Sequence, residues 1–100
     1  MQLTVEIAAA GAPPEGAAVV VQVRDAAVAD EASVLLGEAR ATWSGVVARV
    51  QVDAELTGAP IVFVHVDCDG DGEISKGDYI TMQSYPVGTA GAVRVEVKKV

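Results

Sequence analysis

A period of two runs through most of this chain. Leu3, Val5 and Ile7 alternate with Gln2, Thr4 and Glu6, and Val19, Val21 and Val23 alternate with Gln22 and Arg24. Val46, Ala48, Val50 and Val52 alternate with Val47, Arg49, Gln51 and Asp53, and Val93, Val95 and Val97 alternate with Arg94, Glu96 and Lys98. Successive side chains of a strand point to opposite faces, so each run lays its Val side on a shared core and its polar side in water. Each square ångström of apolar surface removed from water contributes about 25 cal/mol.

Three further runs read as strands. Ser33 to Thr42 holds a Glu-Ala-Arg-Ala stretch with some helical propensity, but its place between strands favours β. Ile61 to Val66 is a continuous apolar, β-branched run, as expected of a central strand covered on both faces. Tyr79 to Tyr85 alternates again, Ile80 and Met82 opposing Thr81 and Gln83, and Pro86 ends it. Segments 11–16, 57–60 and 88–91, rich in Gly and Pro, punctuate the chain as turns, and Asp25 to Ala32 has room for one helical turn. The fold expected is all-β: one domain over residues 1–100, a single antiparallel β-sandwich of about seven strands.

The chemistry is concentrated in twelve residues. Asp67 to Asp78 reads Asp-Cys-Asp-Gly-Asp-Gly-Glu-Ile-Ser-Lys-Gly-Asp, with five acids and one Lys, a net of −4 against −7 for the whole chain. The spacing is that of a calcium loop. Asp67, Asp69 and Asp71 occupy positions one, three and five, Gly72 the sharp turn at six, Glu73 the carbonyl position, Ser75 the water-bridged position and Asp78 the closing position. Crowded carboxylates repel, and a hard divalent cation converts that repulsion into coordination. Ca²⁺ tolerates six to eight oxygens in flexible geometry, so it fits better than Mg²⁺. The shorter Asp in place of the usual Glu at the closing position weakens calcium and improves the standing of magnesium, with an expected dissociation constant of roughly 10⁻⁵ to 10⁻³ M. Ile74 is the apolar residue placed to pin the loop to a core. The flanking runs are strands, so the loop is a metal-clamped connection between two of them, without helices to swing open as in a calmodulin-like switch. Dockerin modules close similar loops with Asp, but they are helical and repeat the motif.

Other chemistries find little support. The acidic balance repels nucleic-acid phosphates, and the seven Lys and Arg are scattered. No apolar run approaches the ~20 residues of a membrane-spanning helix. The start Met1-Gln2-Leu3 lacks signal-peptide character, so any targeting segment is absent from this chain. Cys68, the single cysteine, forms no intramolecular disulfide and reads as an exposed thiol whose neighbouring carboxylates raise its pKa. His65, the single histidine, shares a parity with Phe63 and Asp67 and reads first as a half-buried strand residue, with orienting Asp67 through a hydrogen bond or acting as a base as the alternatives. No catalytic constellation is evident and none is expected. Trp43 reads as a core residue at one end of the fold.

The run Ala17-Ala18-Val19-Val20-Val21-Gln22-Val23-Arg24-Asp25 with Ala29-Asp30-Glu31-Ala32, and later Ile61 to Val66 and Ser84-Tyr85-Pro86-Val87, resembles the YbaY-like domain of bacterial envelope lipoproteins, a group related to the pilotin lipoproteins of type III secretion. The resemblance spans about half of the chain. It implies a small, non-enzymatic β-sandwich exposed outside the cytoplasm. Two functions follow as expectations: a calcium-binding module of the cell envelope, in which the ion stabilises one inter-strand loop, or a pilotin-like interaction or chaperone domain that pairs a strand edge with a protein partner.

Overall fold

The computed structural model describes residues 2–9, 11, 13–25, 34–45, 47–55, 58–70, 72–74, 76–83, 85–87 and 91–100. Among them there is no helix. Eight strands form in chain order: β1 (Gln2–Ala9), β2 (Ala18–Asp25), β3 (Val34–Thr42), β4 (Val47–Asp53), β5 (Pro60–Asp67), β6 (Tyr79–Thr81), β7 (Tyr85–Pro86) and β8 (Ala92–Lys99). The all-β expectation holds, and the ambiguous Ser33 to Thr42 run is a strand from Val34 onward. The helical turn expected between Asp25 and Ala32 falls mostly on 26–33, outside the described residues.

Two separate sheets do not form. One continuous sheet runs β3-β2-β5-β6-β8-β1-β4, with β7 added beside β5. The strand that prevents a division into layers is β8. It lies parallel to β1, Thr4 opposite Ala92 through Ala9 opposite Val97, and antiparallel to β6 through Val97 to Lys99. The sheet therefore rolls toward a closed barrel instead of splitting into an antiparallel sandwich. Its terminal strands meet at Gly37 of β3, where an added Cβ would lie 2.5 Å from the Asp53 carbonyl oxygen and 2.7 Å from the Ala54 Cβ. Gly37, Ala39 and Ala41 give β3 a slim inner face, which is what lets β4 come so near.

The inner face is the one the alternation assigns. Leu3, Val5 and Ile7, then Val19, Val21 and Val23, then Ala48, Val50 and Val52, then Val62, Val64 and Val66, and finally Val95 and Val97 are all buried, with Trp43 among them. The Trp43 indole N–H donates to the Gly45 carbonyl at 3.0 Å, so its burial leaves no polar atom stranded. A β-bulge between Val23 and Arg24 puts two β3 residues opposite one step of β2, which turns Leu36 toward the core and leaves Leu35 outside.

The run Tyr79 to Tyr85 is broken into two short strands. Tyr79 and Thr81 are the buried residues of β6, whereas Ile80 is half-buried and Met82 is exposed, so the polar member of the alternation faces inward. The break explains it. Beyond Thr81 no strand among the described residues pairs with the next part of β5, and the Thr81 hydroxyl accepts the Val64 N–H at 3.2 Å in place of a carbonyl. Tyr85 does the same for β8, its hydroxyl accepting the Glu96 N–H at 3.1 Å and donating to the Glu96 carbonyl at 3.3 Å. Two side-chain hydroxyls thus stand in for missing ladder bonds, one before Met82 and one at Tyr85.

Candidate functional site

β5 ends at Asp67, and the chain returns to the sheet at β6 through residues 68–78. Asp67 organises this return. Its Oδ1 accepts the Gly70 N–H at 3.0 Å and its Oδ2 accepts the Gly72 N–H at 2.7 Å, which winds the connection around the carboxylate. Gly72 has a φ of +78°, the left-handed region expected at loop position six, where a β-carbon would be strained. At the far end Asp78 Oδ1 accepts the Cys68 N–H at 2.9 Å, and Asp78 Oδ2 lies 2.9 Å from His65 Nε2. The start and finish of the loop are clasped through the Asp78 side chain.

Of the six candidate ligands, Asp67 and Asp78 come together. Each is buried, at 6% and 1% exposure, and His65, at 7%, joins them so that one ligand atom from each lies within 4.8 Å of the others. Asp69 and Glu73 are exposed and stand outside that group. Asp71 and Ser75 lie outside the described residues. His65, expected as a half-buried strand residue with a hydrogen bond to Asp67 as the alternative, is buried and pairs with Asp78, and the parity it shares with Asp67 is the signal that both face the same side of β5. Among the described residues every buried side-chain nitrogen and oxygen has a hydrogen-bond partner.

Two neighbours depart from expectation. Cys68 is half-buried against the core instead of exposed, its thiol 3.8 Å from the Val66 carbonyl, because the Asp78 clasp turns the chain inward there. Burial first, then Asp78, Asp67 and Asp69, push its pKa up. Ile74 is 50% exposed and does not enter the core. It lies instead over the outer face of the sheet.

That outer face forms the larger feature. A cleft of about 610 Å³ is floored by β2 and β5, walled by Glu38 and Arg40 of β3, and overhung at one end by Gly72 and Ile74. The strand register sets its layout in rows. Asp67 lies opposite Ala18, His65 opposite Val20 and Arg40, Phe63 opposite Gln22 and Glu38, and Ile61 opposite Arg24 and Leu35. Polar side chains dress the wall: Gln22 Nε2 donates to Glu38 at 2.9 Å, Arg24 Nε donates to Gln22 at 2.9 Å, and Arg40 Nε lies 3.4 Å from the Glu38 carboxylate. The Gln22 amide, followed by the Arg40 and Arg24 guanidiniums, holds the Glu38 carboxyl below its usual pKa. The reading of Ile61 to Val66 as covered on both faces was half right. Val62, Val64 and Val66 meet the core, but over Ile61 and Phe63 the outer face is a cleft.

No protein-family model matches this chain, and no curated protein sequence does. Among solved structures the chain is similar to an alternative pilotin from the type II secretion system of Vibrio cholerae, with a TM-score of 0.73 over 100% of this chain and 96% of that one, at 19% sequence identity. At that identity the likeness is one of fold.

Proposed function

We propose that this chain is a non-enzymatic docking module of the bacterial cell envelope, pilotin-like in role, that holds a segment of a partner protein on the outer face of β3, β2 and β5. The observation that carries the reading is the asymmetry of the outer surface. Around β1, β4 and β8 the outward residues are mostly polar, among them Thr4, Glu6, Arg49, Gln51, Arg94 and Lys98, with Val47 the one large apolar strand residue exposed there among the described residues, and Glu6 lies within 3.4 Å of Arg49 and 3.6 Å of Arg94. Around β2 and β5 they include Val20, Ile61 and Phe63, bordered by the exposed Leu35 and Ile74. An apolar patch with a polar rim is the usual character of a protein-docking surface. The fold shared with a pilotin points the same way. The strand edges anticipated as a docking route approach one another at Gly37, so the face is the more open surface. Titration calorimetry of the purified chain against soluble domains of envelope secretion components from its own genome tests the reading. Saturable binding by one of them supports it, and no heat with any of them refutes it.

A second reading is a divalent-cation loop, Ca²⁺ first and Mg²⁺ after. It is favoured by two buried carboxylates, Asp67 and Asp78, converging with His65, and by the winding of the loop around Asp67. An ion held at a hundredfold excess over its dissociation constant stabilises the fold by about 2.7 kcal/mol. CaCl₂ at that hundredfold excess is then expected to raise the melting temperature above that in chelator by roughly 10 °C or more. The double variant Asp71→Ala, Asp78→Ala should lose the response, and equal melting of the parent with and without calcium would end this reading.

A further inference from the structure

Three buried side chains at one end of the outer cleft carry a chemistry that an all-oxygen calcium shell leaves unused. β5 sets His65 and Asp67 two residues apart on one face, and both line the cleft. Across to β6, His65 lies opposite Ile80 and Val66 opposite Tyr79, so the next step brings Asp78 alongside Asp67. The result is one imidazole and two carboxylates, all buried, with one ligand atom from each within 4.8 Å of the others. His65 Nε2 and Asp78 Oδ2 are 2.9 Å apart. A four-coordinate zinc ion holds its ligand atoms about 3.3 Å from one another. That spacing falls between the two distances, so small side-chain rotations seat all three groups on one ion.

Backbone amides already orient both carboxylates. Asp67 accepts the Gly70 and Gly72 N–H groups, and Asp78 Oδ1 accepts that of Cys68. Carboxylate oxygens keep lone pairs beyond these bonds, and supporting bonds of this kind fix ligands in metal sites. Calcium takes six to eight oxygens, whereas this group offers three ligands of which one is a nitrogen. Imidazole beside carboxylate suits a borderline cation, and three protein ligands with a free fourth position make an open zinc site. The Cys68 thiol turns to the Val66 carbonyl, and Asp69 and Glu73 are exposed, so none of these joins the group.

We propose that His65, Asp67 and Asp78 bind Zn²⁺, with the fourth position of the ion open to the outer cleft. The proposal rests on the cation reading above and changes both its ion and its ligands.

His65 is the only histidine, so in tag-free protein its ring gives the only imidazole signals in a long-range proton–nitrogen correlation spectrum. One equivalent of Zn²⁺ should move the Nε2 resonance into the metal-bound range and leave it there on further addition, whereas Ca²⁺ should not. Co²⁺ in its place should give a visible d–d spectrum that Zn²⁺ abolishes. His65→Gln should weaken Zn²⁺ binding, read by competition with a chromophoric chelator, by about a hundredfold or more, since groups that only support a ligand are already worth about 10–100-fold. Asp69→Asn, at an exposed loop position, should bind Zn²⁺ as the parent does. Ring nitrogens of the parent that stay unmoved through excess Zn²⁺ overturn the proposal without recourse to any variant. So does a folded His65→Gln that binds Zn²⁺ like the parent. If Ca²⁺ raises the melting temperature while Zn²⁺ leaves the ring unmoved, the three-residue assignment falls and the cation reading stands. If neither ion has an effect, both fall.

Discussion

Replacing Thr81 by Val tests whether a side-chain hydroxyl completes the ladder of β5. Thr81 is 6% exposed, and its Oγ1 accepts the Val64 N–H at 3.2 Å where β6 has run out. Val has nearly the same shape and suits a strand, so the exchange removes an acceptor without opening a cavity. Leaving a buried amide without a partner costs about 1–3 kcal/mol, and the added methyl returns up to ~0.8 kcal/mol of apolar burial. With the methyl fully buried the net loss is about 0.2–2 kcal/mol, which for a domain of this size lowers the melting temperature by up to roughly 15 °C. Urea unfolding should show a lower midpoint with an unchanged slope, because the surface exposed on unfolding is the same. Thr81→Ser keeps the acceptor and should preserve slow hydrogen exchange at the Val64 amide, whereas Thr81→Val should lose it. If Thr81→Val melts with the parent and its Val64 amide stays protected, the hydroxyl is not the group that satisfies that backbone position.

Other consequences can be measured in the same way. Gly37→Ala drives a methyl group against the Asp53 carbonyl and Ala54, and overpacking at this seam should destabilise the fold by about 1–3 kcal/mol in chemical denaturation. Tyr85→Phe removes both hydrogen bonds to the Glu96 backbone in a solvent-accessible setting. A loss of about 1 kcal/mol is expected, with faster amide exchange at Glu96 while Val97 stays protected in the core.

The parts of this fold written as alternation were legible before any coordinates. Val19, Val21 and Val23 can satisfy their pattern only as a strand with one buried face, and the same holds for Leu3 to Ile7 and Val95 to Val97. Parity, however, says which face is buried and nothing about which strand lies alongside. The parallel union of β1 with β8, which turns an expected sandwich into one rolled sheet, is a matter of pairing and left no mark in either run. β6 misled for a different reason. Thr81 turns inward because the ladder breaks there, and that break is a property of its neighbours, not of its own segment. At the candidate site the turn at Gly72 was readable from spacing, whereas Asp67, read as a cation ligand, also accepts the Gly70 and Gly72 amides, which spacing did not announce. The convergence of Asp78 on His65 depends on β5 and β6 lying side by side, His65 opposite Ile80, so it became visible only with the sheet assembled. Ile74 was correctly singled out as the apolar residue of the loop, but it covers the outside of the sheet.

The partnership of β1 with β8 also bears on how the molecule is made. Thr4 finds its neighbour at Ala92, so β1 leaves the ribosome long before β8 and waits for it before one of its flanks is filled. Vectorial synthesis cannot finish this sheet piecemeal, and pairings between residues so distant in the chain place it among slow-folding topologies. Until β8 arrives, Gln2 to Ala9 offers an uncovered row of amides and carbonyls, and that interval is when the nascent chain is most exposed to adopting a wrong neighbour.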